Sequence, residues 1–225
     1  MQNIGFLIFD GVQPLDVIGP WEVLSIWSNV LKKPYSLYMV SEHQGIINCD
    51  SNLKLESHVS FKDCPKLDYL FVPGGRGRKT EVQNKSLVKF IQHQAQTTKL
   101  VLSICTGVFL LDAAGLLKGK KATTYWQALP EFNRLKDVTL VEKRIVKDGQ
   151  VWSAGGVSSG IDLALAFIKD IDGIESYKQA KLLLEYFPEE EAQEYSQDII
   201  STLPKYTSGD DNRFIPEYIN SKKRY

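Results

Sequence analysis

Short apolar runs alternate along this chain with longer stretches in which apolar residues recur at helical spacing. The short runs are bounded by Gly, Pro or Asp and predict strands at residues 4–9, 36–40, 69–72, 99–104 and 122–125. The longer stretches predict helices at residues 15–31, 87–95, 108–117, 158–171 and 174–187, with another near 126–133. Alternating strands and helices form βαβ units, in which parallel strands are covered by helices. We therefore expect an α/β fold with a mostly parallel sheet.

Three segments depart from this alternation. Residues 45–61 alternate only weakly, which predicts a small antiparallel hairpin or an irregular crossover. The dipeptide Asp148-Gly149 is favoured in tight hairpin turns and predicts a strand on each side. From residue 189 the chain is polar and at first acidic, so we expect a domain over residues 1–188 and a C-terminal extension over 189–225. The extension is predicted to be a solvated tail or surface helix, or an arm that contacts a second protomer.

Composition narrows the possible partners. Lys plus Arg and Asp plus Glu both number 27, so no positive excess favours nucleic acid or an anionic membrane. The N-terminus lacks a basic region, and no segment approaches the ~20 apolar residues of a membrane span. The three cysteines are an odd number without CxxC spacing, which disfavours a disulfide framework or a zinc site. We expect a cytoplasmic protein with a small-molecule partner, no metal and no cofactor.

The predicted strand at 99–104 ends at Cys105 and passes directly into a helical pattern. A side chain at such a turn lies at the carboxyl edge of the sheet, close to the free N–H groups that begin the helix. Those groups favour thiolate over thiol, so we expect a lowered pKa and propose Cys105 as a nucleophile. The alternative is an inert buried cysteine.

Other residues with chemical potential also follow predicted strands, where ligands bind in sheets of this kind. Asp16 follows the first strand as a candidate acid, or as a simple helix cap. The Gly74-Gly75 turn can bring bare N–H groups to the thiol, or can be an ordinary tight turn. Gly155 lies among small residues that form a pocket wall or only permit close packing.

The histidines offer little support for a Cys-His pair. The sequence has only His43, His58 and His93. His93 falls within a predicted helix and His58 within the irregular crossover. His43 follows the second strand and so lies at the correct edge, but a solvated histidine is the simpler interpretation. A hydrolytic triad is therefore poorly supported.

Four motifs together resemble the DJ-1/PfpI (ThiJ) superfamily. They are FDGVQPLDVIGP at 9–20, VPGG at 72–75, ICTG at 104–107 and SAGGV at 153–157, and in this order they extend from residue 9 to residue 157. Asp16, together with Thr106 after the cysteine, resembles the isonitrile hydratase branch, whereas glutamate in place of Asp16 is typical of the DJ-1 and deglycase branches. The same motifs occur in AraC-type transcription regulators, whose DNA-binding domain we expect this chain to lack.

This resemblance implies a flavodoxin-like three-layer sandwich, usually a homodimer, with Cys105 as nucleophile and Asp16 as its acid/base partner. Thr106 is expected to hydrogen-bond the reacting atoms, and Gly74, Gly75 and Gly155 to shape the substrate site. Tyr125 stands where many relatives have histidine, which weakens a protease or amidotransferase mechanism; its hydroxyl can still contribute a hydrogen bond to the pocket.

Hydration of an isocyanide R-NC to an N-substituted formamide is the activity that we expect from Cys105, Asp16 and Thr106 together. Two alternatives remain open. The same cysteine can serve a redox sensor or a ligand-binding module without catalysis. A glyoxalase or deglycase acting on 2-oxoaldehydes is less well supported, because Asp16 is not Glu and Tyr125 is not His.

Overall fold

The computed structural model describes residues 1–187. Its strands, in chain order, are β1 (Gln2–Leu7), β2 (Tyr35–Ser41), β3 (Ile46–Asn48), β4 (Lys54–Glu56), β5 (Val59–Ser60), β6 (Tyr69–Val72), β7 (Leu100–Ile104), β8 (Lys120–Ala122), β9 (Val138–Leu140), β10 (Ile145–Asp148) and β11 (Val151–Ala154). Its helices are α1 (Pro14–Ser25), α2 (Arg78–Glu81), α3 (Lys85–Ala95), α4 (Val108–Ala113), α5 (Leu129–Phe132) and α6 (Ser159–Leu183). The predicted extension at 189–225 lies outside the described residues.

The central sheet contains seven strands in the order β10-β11-β7-β6-β1-β2-β5. All neighbours pair in parallel except β10 and β11, which form the antiparallel hairpin predicted around Asp148-Gly149. Strand β6 lies between β1 and β7, and all four of its residues are buried because helices cover both faces. The predicted three-layer, mostly parallel α/β fold is confirmed.

Aromatic packing joins α1 and α6 to one face of the sheet. Phe6 of β1 stacks on Phe71 of β6, with ring centroids 4.8 Å apart. Phe167 of α6 meets Phe71 edge-to-face at 5.9 Å, and Trp27, in the π-helical turn that follows α1, meets Phe167 in the same way. Large aromatic side chains bury much apolar area, so these contacts fix α1 and its N-terminal Asp16 against the sheet.

Glycine marks the break in α6. The backbone of Gly173 has φ 90° and ψ 175°, which no helical residue adopts. The sequence predicts separate helices at 158–171 and 174–187, so the break itself is confirmed. Residues Met1–Ala180 form one compact unit, and a second begins at Lys181. Within residues 181–187 the Lys181 ammonium lies 5.8 Å from the centre of the Phe187 ring.

Short elements account for most of the differences from prediction. The antiparallel hairpin predicted within 45–61 is confirmed as β3 and β4, but β5 follows it and joins the central sheet. The helix predicted at 108–117 ends at Ala113, and the one near 126–133 is a 3-10 turn followed by the four-residue α5. Strand β9, which pairs with β8, was not predicted, because three residues carry too little periodicity.

Candidate active site

Cys105 lies at the predicted elbow, immediately after β7, with a left-handed backbone conformation at φ 57°. Its N–H donates to the Gly155 carbonyl at 2.8 Å, and its own carbonyl accepts from the Thr124 hydroxyl at 2.9 Å. Left-handed conformations are uncommon for non-glycine residues and persist where the surroundings determine them. The two hydrogen bonds therefore hold the cysteine in a turn that directs its thiol away from the regular sheet.

Glycine is required where the elbow approaches the turn after β6. A Cβ atom on Gly107 would lie 2.1 Å from the Val72 carbonyl oxygen. A Cβ on Gly74 would lie 2.5 Å from both the N and the Oγ1 of Thr106. No side chain fits at either position, so the two strand ends approach more closely than substituted residues would allow. This close approach brings the Gly74-Gly75 turn to Cys105, as the sequence predicts.

Asp16, in the first turn of α1, is fully buried. Its Oδ2 accepts a hydrogen bond from the Gly74 N–H at 2.9 Å, while Oδ1 has no hydrogen-bond partner within residues 1–187. The carboxyl also interacts with the Cys105 thiol. Burial raises the pKa of Asp16 to about 7, although the hydrogen bonds from Gly74 and Cys105 oppose the rise.

Thr106 links the glycine turn to the sulfur. Its Oγ1 accepts from the Gly75 N–H at 3.2 Å, and its hydroxyl and backbone N–H both interact with the Cys105 thiol. Val157 supplies a further backbone N–H to the thiol from a left-handed conformation at φ 43°. These donors favour the thiolate because they form hydrogen bonds to its charge.

The expectation of a lowered thiol pKa is nevertheless wrong for the resting site. Burial, followed by the Asp16 carboxylate, raises the pKa of Cys105 to about 12, although the donors from Thr106 and Val157 oppose the rise. The helix argument omitted this desolvation and the adjacent like charge. The helix predicted over residues 108–117 is also shorter, since the segment after Cys105 is a 3-10 turn followed by the six-residue α4.

A cavity of about 400 Å³ opens at the carboxyl edge of the sheet beside Cys105. Four residues predicted from the sequence line it: Gly75, Cys105, Thr106 and Tyr125. Asp16, Gly74 and Gly155 lie outside its lining. Gly155 accepts the Cys105 N–H, and Gly74, which donates to Asp16, lies against Thr106. The structure thus brings all seven predicted residues to one site, with three of them in supporting positions.

The sequence analysis missed most of the polar cavity wall. The additional lining residues are Gln13, Asp50, Arg76, Arg78, Lys79, Gln127, Ala128, Glu131 and Val157. Arg76, Arg78 and Lys79 directly follow the glycine turn at the end of a strand, and this position was a usable signal. No sequence signal pointed to Glu131, because only the tertiary fold brings α5 to the cavity.

Arg78 is the most buried charged side chain of this wall, with 5% exposure. Its two terminal nitrogens donate to the two carboxylate oxygens of Glu131, and its guanidinium lies 4.2 Å from the centre of the Phe109 ring. The pairing with Arg78 lowers the pKa of Glu131. A bidentate pair that also stacks on an aromatic ring has a well-defined orientation.

None of the three histidines, all within the described residues, lines the cavity. His58 stacks on Trp21, and its Nδ1 accepts the Met39 N–H at 2.8 Å; His43 is exposed. No group of three or more His, Cys, Asp or Glu side chains in residues 1–187 is arranged to hold a metal ion. No helix in that part of the chain is long and apolar enough to span a membrane.

Comparison with known families decides the relationship. The model of the DJ-1/PfpI family matches residues 2–170. The chain belongs to the DJ-1/PfpI family. Among the curated members, an isonitrile hydratase from Pseudomonas putida is 36% identical over 189 residues, which are 83% of this chain and 79% of that protein. The deglycase PfpI from Pyrococcus furiosus is 25% identical, over 65% of this chain and 86% of its own length.

Solved structures of DJ-1/PfpI proteins have the same fold. A ThiJ/PfpI family protein from Pseudomonas syringae superposes with a TM-score of 0.76 at 26% identity, covering 97% of this chain and 82% of that one. Drosophila melanogaster DJ-1beta gives a TM-score of 0.73 at 18% identity, covering 83% of this chain and 99% of that one. The second comparison, at this identity, concerns the fold alone.

Proposed function

We propose that this DJ-1/PfpI protein hydrates isocyanides to N-substituted formamides, with Cys105 as nucleophile and Asp16 as acid and base. The observation that carries the proposal is the position of a fully buried carboxyl beside the thiol, with which it interacts, at a cavity that no histidine lines. The similarity to an isonitrile hydratase supports the same reaction.

One proton shared by Asp16 and Cys105 fits the first step. Loss of one proton from the pair near pH 7 leaves a single proton between carboxylate and thiol, and their titrations belong to the pair. In the arrangement with thiolate and carboxylic acid, the sulfur bonds to the terminal carbon of R-NC. The same carbon takes the proton from Asp16, which gives the thioimidate R-N=CH-S-Cys105 and an Asp16 carboxylate.

Water completes the reaction in the second step. Its oxygen bonds to the thioimidate carbon, while Asp16 accepts one water proton and transfers a proton to the nitrogen. The resulting R-NH-CH(OH)-S-Cys105 then breaks its carbon–sulfur bond. The formamide leaves, the hydroxyl proton passes to Asp16, and Cys105 returns to thiolate. Thr106 and the Val157 N–H stabilise that thiolate as the leaving group.

The two alternatives receive less support from the site. A peroxide sensor requires an accessible thiolate, but Cys105 is only 6% exposed and burial raises the pKa of its thiol. The chain is similar to a deglycase, but the acid position has Asp16 and not the glutamate typical of the deglycase branch. Tyr125 also lines the cavity where many relatives have histidine. The ring of Tyr125 packs on Gly156, where a Cβ atom would lie 2.2 Å from it.

Formamide production from a panel of isocyanides tests the proposal. The wild-type protein is expected to form formamides, Cys105→Ala to form none, and Asp16→Asn to lose roughly 10²-fold or more in rate. Cys64→Ala is the matched control, since Cys64 lies away from the cavity. Hydration that survives in Cys105→Ala would refute the mechanism. Consumption of methylglyoxal without formamide production would favour the deglycase, and rapid peroxide oxidation of Cys105 without either activity would favour the sensor.

A further inference from the structure

The cavity wall away from the sulfur carries an excess of positive charge. Five charged side chains line the cavity, three of them basic and two acidic. Two of the basic residues are paired within the wall: Arg76 with Asp50 at 3.4 Å, and Arg78 with Glu131. Lys79 is exposed and forms no ion pair within residues 1–187.

Lys79 and Arg78 flank the same carboxylate. The pKa of Glu131 is lowered first by the Arg78 hydrogen bonds and then, through space, by Arg78, Lys79 and Arg134. Three cations thus act on this carboxylate, and the cavity lining has one more basic than acidic side chain. Among the described residues the Arg78 guanidinium donates only to Glu131, which leaves part of its five donors available to a bound group.

These cations do not serve the thiol. Of the charged groups, Asp16 has the largest effect on the pKa of Cys105, and it raises that pKa. The hydrogen bonds that lower this pKa come from Thr106 and Val157, not from the basic side chains of the wall. The basic side chains line the same cavity as the sulfur, so their charge is available to the part of a substrate that lies away from the reacting carbon.

We propose that the cavity prefers isocyanides whose substituent bears a carboxylate, and that Lys79, with Arg78 beside it, binds that carboxylate. This inference rests on the proposed hydratase function for its reaction, but the charge preference belongs to the cavity. A carboxylate suits this wall because arginine offers a planar set of donors and the adjacent lysine a compact positive charge.

Alkylation of Cys105 measures the preference without any isocyanide. Two reagents of the same shape are compared: para-(iodoacetamido)benzoate, which is anionic, and para-(iodoacetamido)benzamide, which is neutral. The alkylation rate with each reagent is followed by intact mass, and Cys105→Ser assigns the reaction to Cys105. The ratio of the anionic to the neutral rate is then divided by the same ratio measured with glutathione, which gives a normalised ratio. We expect the anionic reagent to be favoured about fivefold at low salt, and less at about 0.5 M salt.

Lys79→Gln is expected to bring the normalised ratio close to one, and Lys79→Glu is expected to bring it below one. Lys85→Gln, which removes an exposed lysine outside the cavity lining, should keep the wild-type ratio. A normalised ratio of one for the wild-type protein would overturn the inference. A preference that persists unchanged in Lys79→Gln and Lys79→Glu would overturn the assignment to Lys79.

Hydration of para-isocyanobenzoate and para-isocyanobenzamide separates this inference from the proposed function. Preferred hydration of the carboxylate, lost in Lys79→Gln, supports both. If alkylation shows the anionic preference and neither isocyanide is hydrated, the hydratase proposal is wrong and the carboxylate site stands. If both isocyanides are hydrated equally and alkylation shows no preference, the hydratase proposal stands and the carboxylate site is wrong.

Discussion

Replacing Asp16 with asparagine should stabilise the protein, and the gain should grow as the pH rises. The carboxyl is fully buried, and burial raises its pKa from 3.8 to about 7. An acid with a raised folded-state pKa costs no stability where both states are protonated, and costs progressively more as the unfolded chain ionises. Asparagine keeps an oxygen to accept the Gly74 N–H but carries no charge to desolvate.

The magnitude follows from the pKa of Asp16 in the two states. With values of 3.8 and about 7, the cost is about 1.7 kcal/mol at pH 5 and about 4 kcal/mol at pH 8. Between these two pH values the advantage of Asp16→Asn should therefore increase by about 2.5 kcal/mol, and above pH 8 it should level off. Cys105 adds little over this range, because its own pKa is raised to about 12.

Urea unfolding under reducing conditions, measured from pH 5 to pH 8.5, provides the assay. Asp137→Asn is the matched control, because it removes an exposed carboxyl and asparagine tolerates the left-handed backbone at φ 60°. The control should differ from the wild type by a constant amount. An Asp16→Asn difference that does not vary with pH would refute the argument from burial, whatever its size.

Three further predictions concern the same site. The alkylation rate of Cys105 should rise with pH through an inflection near 7 in the wild type, because loss of one proton from the pair permits the thiolate; stopped-flow alkylation of Asp16→Asn should lack that inflection. Thr106→Val removes the hydroxyl that donates to the sulfur and should slow alkylation at pH 8 by roughly tenfold, while Thr106→Ser restores it. Gly74→Ala should destabilise by roughly 1–3 kcal/mol in urea unfolding, because its methyl group would lie 2.5 Å from Thr106, whereas Gly155→Ala, with no neighbour closer than 3.9 Å, should be tolerated.

Strong periodicity made the fold predictable from the sequence. The buried strand Tyr69–Val72 was predicted with its exact bounds because apolar residues fill a run that ends at Pro73. The hairpin at Asp148-Gly149 followed from turn chemistry, and the break at Gly173 falls between the helices predicted at 158–171 and 174–187. Most of the elements that differ have three or four residues, such as β9 and α5, where tertiary contacts determine the conformation instead of local pattern.

The candidate site was predictable only in part, since motifs locate residues but do not give their environment. Carboxyl ends of parallel strands share an edge, so Asp16, Gly75 and Cys105 were expected to meet there, and they do. The sequence motifs do not show how deeply these side chains are buried. Desolvation reverses the direction expected for the pKa of Cys105, and the same effect raises that of Asp16. The Arg78–Glu131 pair joins residues that are 53 positions apart, which no local motif encodes.

The raised pKa of Asp16 connects the stability cost with the chemistry that we propose. If the Asp16 carboxyl were exposed, it would already be ionised at neutral pH. The Cys105 thiol would then have to lose its proton beside an existing negative charge to form the thiolate. Burial keeps a proton on the pair up to about pH 7, so a single deprotonation leaves one proton to share and permits thiolate beside carboxylic acid. That arrangement supplies the nucleophile and the acid that addition to an isocyanide requires at one carbon. A site with this chemistry is therefore expected to retain a residue that destabilises the fold, and Asp16→Asn should increase stability and greatly slow turnover in the same variant.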